Sequence, residues 1–128
     1  MKPFHFAALA AALGCLSCAS SSSAPSNTPP EVQVTGPDTV AAANGQYNIP
    51  FTVTWKDADN DAIANLRYRV PAVGTDTTQA VPAGAALGVQ LTILVSATAP
   101  KQAYDFTISV FDARGAESKP VVKQVTLQ

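Results

Sequence analysis

Apolar side chains recur at every second position through most of residues 31–128. Val32 and Val34 begin the pattern, and Phe51, Val53 and Trp55 continue it. Leu66, Tyr68 and Val70 follow, then Val89, Leu91, Ile93 and Val95, and finally Tyr104, Phe106, Ile108 and Val110. A helix cannot place such residues on one side, whereas a strand does so automatically. Valine, threonine and alanine dominate this part of the chain, and its six prolines and six glycines suit many short strands joined by turns. Expected strands are 31–35, an edge segment near 39–43, 49–55, 66–70, a short one near 77–81, 87–96, 104–112 and 121–128. Asn44-Gly45 marks a tight turn, and Pro71 ends the Leu66–Val70 run because it has no N–H for the ladder. A helix over 79–95 is the main competitor, and Pro82, Gly84 and Gly88 argue against it. About seven short strands with turn signals every ~8–12 residues predict an all-β, immunoglobulin-like Greek-key sandwich.

The first thirty residues have a different character. Met1-Lys2 is a short positive start, Phe4–Leu13 is apolar apart from His5, and small residues with two cysteines follow, Gly14-Cys15-Leu16-Ser17-Cys18. Charged, apolar and small segments in that order make a secretory signal. The apolar run is shorter than the ~20 residues a spanning helix needs. Ala12-Leu13-Gly14-Cys15 resembles the lipobox of bacterial lipoproteins, in which the cysteine is lipidated and becomes the mature N-terminus. The resemblance implies lipidation at Cys15, with Cys18 as the alternative. It also implies attachment to a membrane through acyl chains, each buried methylene contributing ~0.8 kcal/mol. No acidic residue directly follows either cysteine, which in that family leans towards the outer membrane. Residues 17–30, Ser- and Pro-rich and uncharged, cannot bury enough surface to fold. The expected organisation is a signal peptide over 1–14, a tether over 15–30 and a sandwich domain over 31–128.

Chemistry concentrates in one stretch. Lys56-Asp57-Ala58-Asp59-Asn60-Asp61 places three aspartates at alternate positions between two core strands. Asp57, Asp59 and Asp61, joined by Asp112 from the end of a later strand, offer the oxygens a calcium ion takes. Equally, Asp and Asn at such positions cap turns and keep a strand end soluble. An EF-hand is excluded, since Ala62 and Tyr68 stand where its glycine and glutamate belong. Trp55 and Tyr68 are in phase with core residues, which points to burial rather than to a sugar-stacking surface. Tyr104 is placed to be the tyrosine corner of such a fold.

DADNDAIANLRY followed by YDFTISVFDARGAES resembles the bacterial PKD-type and cadherin-like Ig domains. In those, an Asp-x-Asp-x-Asp loop precedes Leu-x-Tyr, and a later strand runs Tyr-x-aromatic-Thr before Val-x-Asp and a glycine turn. Asp57, Asp59, Asp61, Leu66, Tyr68, Tyr104, Phe106, Thr107, Val110, Asp112 and Gly115 fill those places. The WDFGDG signature of PKD domains is missing, so the resemblance implies the sandwich rather than a subfamily.

His5, Cys15 and Cys18 exhaust the imidazoles and thiols. A Ser-His-Asp or Cys-His centre therefore cannot be built in the folded part, and zinc lacks its preferred ligands there. A net charge of -1 gives no electrostatic footprint for nucleic acid. The sequence thus predicts a non-enzymatic envelope protein without a resident cofactor. Its lipid would contact the membrane, and its Ig-like module would serve an unidentified envelope protein or glycan. The alternative is a calcium- or carbohydrate-binding accessory module built on the Asp57–Asp61 loop.

Overall fold

A computed structural model of the protein describes residues 26–128. The signal segment, Cys15, Cys18 and most of the tether lie outside the described residues. Eight strands run in the order β1 (Glu31–Thr35), β2 (Thr39–Val40), β3 (Gln46–Lys56), β4 (Ile63–Val70), β5 (Thr75–Ala80), β6 (Gly88–Ser96), β7 (Ala103–Asp112) and β8 (Val121–Leu127). A single 3-10 turn, Pro71–Val73, separates β4 from β5. The strands form a three-stranded sheet, β1-β3-β6, and a five-stranded sheet, β2-β8-β7-β4-β5. This is the expected all-β, Ig-like sandwich. The edge segment expected near 39–43 is β2, which is only two residues long. It pairs parallel to β8 through Thr39–Thr126 and Val40–Leu127. The Gly36-Pro37-Asp38 turn carries the chain from β1 in one sheet to β2 in the other.

Alternation explains the layering. The core comprises Tyr47, Ile49, Phe51, Val53 and Trp55 from β3, with Leu91, Ile93 and Val95 from β6 on the same sheet. Tyr104, Phe106, Ile108 and Val110 from β7 face them, joined by Val125 and Leu127 from β8. Phe51 and Phe106 meet across the gap with ring centroids 5.3 Å apart at 49°, a favourable tilted aromatic contact. Asn44 and Gly45 both adopt positive φ, 52° and 78°, and Ala43 and Gln46 bond each other across them. These are the features a type I′ turn requires.

β3 starts at Gln46 and β4 at Ile63, each earlier than the sequence alone indicates. Ile63 is buried, yet its odd number puts it out of phase with buried Leu66 and Val70. A bulge between Ile63 and Asn65 in the pairing with β7 accounts for this. One extra residue reverses the side-chain parity of the strand. Tyr104 donates its hydroxyl to the Pro100 carbonyl at 2.8 Å, which makes it the tyrosine corner. Lys123, inward in register, reaches the surface and ion-pairs with Asp38, as a long amphipathic side chain can.

Phe106 is fully buried while Val122 on β8 is 59% exposed. Phe106→Ala is expected to cost about 3–5 kcal/mol, a large share of the ~5–15 kcal/mol available to a domain of this size. Val122→Ala is expected to change stability by less than about 0.5 kcal/mol. Urea unfolding of the two variants measures both.

Candidate functional site

The β3–β4 loop is shaped by its own first aspartate. Asp57 Oδ1 accepts the backbone N–H of Asp59 at 2.8 Å and of Asp61 at 3.1 Å. The Asn60 N–H donates to the Asp57 carbonyl at 3.2 Å, and Asn60 takes the left-handed conformation, φ 58°. Asparagine tolerates that region because its short amide bonds locally. This folding draws Asp57, Asp59 and Asp61 together, with one carboxylate oxygen of each within 4.8 Å of the others.

Asp112 lies at the same end of the sandwich, where Ala113 N–H bonds the Ala62 carbonyl. It is buried, and both of its oxygens are engaged. Oδ1 accepts the N–H groups of Arg114 and Ala116, each at 2.9 Å. Oδ2 accepts the Asn27 side-chain amide at 2.8 Å. Burial raises the Asp112 pKa, but the donors from Ala116, Asn27, Arg114 and Gly115 outweigh it and hold it below the ordinary 3.8. Asp112 therefore organises the Asp112–Ala116 turn and stands outside the group of three clustered aspartates. Arg114 approaches Asp61 at 3.5 Å from that turn.

The chain entering the domain contributes to this end as well. Thr28 N–H donates to Asp59 Oδ2 at 2.6 Å, and Asn27 reaches Asp112. Two acceptors here are buried with no hydrogen-bond partner, Asn27 Oδ1 and Asp57 Oδ2. Asn27 was not foreseen from sequence. It sits among Ser and Pro residues, and nothing local marks it as a contact of a residue 85 positions away. Its amide donates to a buried carboxylate while its oxygen remains free to accept.

The remaining sites read from sequence are structural. Trp55 is 6% exposed and lines a groove of about 790 Å³ together with Pro30, Leu87 and Pro120. Tyr68 is partly buried against the core. Among the described residues every aromatic side chain is buried or partly buried. Arg67 forks onto Asp76 of β5 through Nε and Nη2, at 2.8 and 2.6 Å. Hydrogen bonding and charge from Arg67 lower the Asp76 pKa.

No family model matches the chain, and no curated protein matches it. Solved structures do. The chain resembles the PKD domain of an M14-like peptidase from a Thermoplasmatales archaeon, with 22% identity and a TM-score of 0.57, over 80% of this chain and 98% of that one. It also resembles a CARDB domain from Pyrococcus furiosus, determined in complex with di-metal ions. Identity there is 19% and the TM-score 0.53, over 80% of this chain and 95% of that one. These likenesses establish the Ig-like fold.

Because the native carboxylate of Asp112 is favoured over the unfolded one, its contribution to stability is complete above the unfolded pKa, ~3.9. It is lost as the pH falls through the lower native value. In cation-free buffer the melting temperature is expected to drop below about pH 4. Asp112→Asn should melt lower at neutral pH and show a flatter acid limb in the same thermal scans.

Proposed function

We propose that the protein is a non-catalytic, lipid-anchored module of a bacterial envelope, tethered through Cys15, with Cys18 the alternative, and probing its surroundings with the Ig-like sandwich. The observation that carries the non-catalytic part is the inventory of buried polar groups. Among the described residues the polar or charged ones buried as whole residues are Ser109, Ser118 and Asp112. Each is committed to a hydrogen bond within the fold. Ser118 Oγ accepts the Val110 N–H, Ser109 bonds Glu117, and Asp112 holds its turn. No histidine or cysteine stands in residues 26–128 to act beside them. Anchoring rests on the lipobox-like residues before Cys15, and an outer-membrane location on the residues after it. The partner would be an envelope protein or glycan.

Expressed in a bacterial host with lipoprotein processing, the protein should partition with membranes. Its intact mass should correspond to a chain beginning at Cys15 and carrying acyl groups. Cys15→Ser should leave it unlipidated. A mature chain that starts at neither Cys15 nor Cys18 would remove the anchor.

A second reading is favoured by the orphaned oxygens. Asp57 Oδ2 and Asn27 Oδ1 are buried acceptors without donors, beside a triad of close carboxylates. A hard divalent cation such as calcium takes oxygen ligands of this kind and would relieve both the repulsion and the unpaired lone pairs. Asp57, Asp59 and Asp61 would hold it, with Asn27 as a further oxygen. Millimolar calcium should then raise the melting temperature, as any ligand of the native state does, and Asp57→Asn should remove the rise. An unchanged melting temperature in wild type eliminates the cation.

A further inference from the structure

The two sheets have four edges, and three are blunted. β1 is five residues long, follows Pro29-Pro30 and begins with Glu31. β2 has two residues. β5 is short, carries Asp76 and is followed within two residues by Pro82. Short length, charge and proline are the devices by which native sheets discourage further pairing.

β6 has none of them. Its nine residues, Gly88–Ser96, include no charge and no proline, and its register with β3 runs from Thr54–Gly88 to Gln46–Ser96 without a bulge. Its sheet ends there, with β3 as its one strand neighbour among the described residues. The direction of its backbone groups follows from the ladder. Trp55 N–H bonds the Leu87 carbonyl and Ala97 N–H bonds the Gly45 carbonyl. Odd-numbered residues of β6 therefore exchange hydrogen bonds with β3, since such pairs alternate along an antiparallel ladder. Gln90, Thr92 and Leu94 direct their N–H and C=O groups outward, and Leu94 also exposes 55% of its surface.

We propose that β6 pairs with β6 of a second copy, antiparallel about a two-fold axis through Thr92, to give a continuous six-stranded sheet. Thr92 then opposes the partner's Thr92, and Gln90 opposes the partner's Leu94. All the outward groups of these three residues find reciprocal partners. The strand is symmetric in length about Thr92, so neither end is left over. Charge selects the same occupant. The outer face of this sheet is neutral except for Glu31 and Lys56, which oppose each other across β1 and β3. A charged strand laid along β6 would lose hydration with nothing to offset it, whereas a second β6 is neutral. An isologous pair also closes, so it does not propagate into fibres. The pairing requires neither the lipid nor a cation.

Among the described residues the buried core runs from Tyr47 to Leu127, so a chain from residue 26 onward keeps all of it and is the species to test. Sedimentation velocity from micromolar to millimolar concentration should show a monomer–dimer equilibrium. The amides of Gln90, Thr92 and Leu94 should gain protection from hydrogen exchange as the dimer forms. Thr92→Pro removes an outward N–H and leaves the β3 ladder whole, so the melting temperature of the monomer should be kept. Association should weaken by about tenfold or more. Leu94→Lys, a charge on the same edge, should do likewise and decides the matter if the proline variant fails to fold. A monomer at every concentration, or a dimer that persists in Leu94→Lys with those three amides unprotected, overturns the proposal.

Discussion

The contact between Phe51 on β3 and Phe106 on β7 is where the two sheets commit to each other. Each ring lies at the middle of its strand, and both are essentially fully buried. Everything else in the sandwich is arranged by the strands that carry them. β3 holds β1 and β6 at its flanks, and β7 holds β4 and β8. Because side chains alternate, fixing one inward residue on a strand fixes the others of the same parity. Removing a ring would leave a void between two sheets that cannot close without moving several strands, so the cost exceeds simple transfer to water.

The polar end of the domain obeys a different rule. There the chain leaves sheet geometry, and backbone groups must be satisfied by side chains. Two aspartates do this. Asp57 closes the β3–β4 loop, and Asp112 closes the turn after β7 and also holds Asn27. The domain's entry segment is thereby tied to the same loops that gather the clustered carboxylates.

Much of the fold was legible because period-two alternation is local. Phe51-Val53-Trp55, Leu66-Val70, Leu91-Ile93-Val95 and Tyr104 to Val110 each announce an inward face without reference to the rest of the chain. Asn44-Gly45 likewise encodes its turn through its own backbone preference. Ile63 escaped notice because a bulge, visible only against β7, reverses the parity that Leu66 implies. β2 was legible only as an edge segment near 39–43, and its parallel pairing with β8 was not, because that partner is far away in sequence. Of the candidate site, the aspartate triad was legible from spacing. Asn27 was not, because its relevance depends on Asp112 being brought to it.

The sequence by itself determined the strand faces, the turn at Asn44-Gly45 and the lack of histidine and thiol in residues 26–128. All of these follow from nearest-neighbour chemistry. Tertiary structure alone decided that Asp112 is a buried turn organiser apart from the triad and that Asn27 and Asp57 each keep an unpartnered oxygen. It also decided that β6 ends its sheet with Gln90, Thr92 and Leu94 facing outward. Which strand is an edge depends on the order of strands in the sheets, and that order is settled by pairing across the whole chain, where no local pattern reaches.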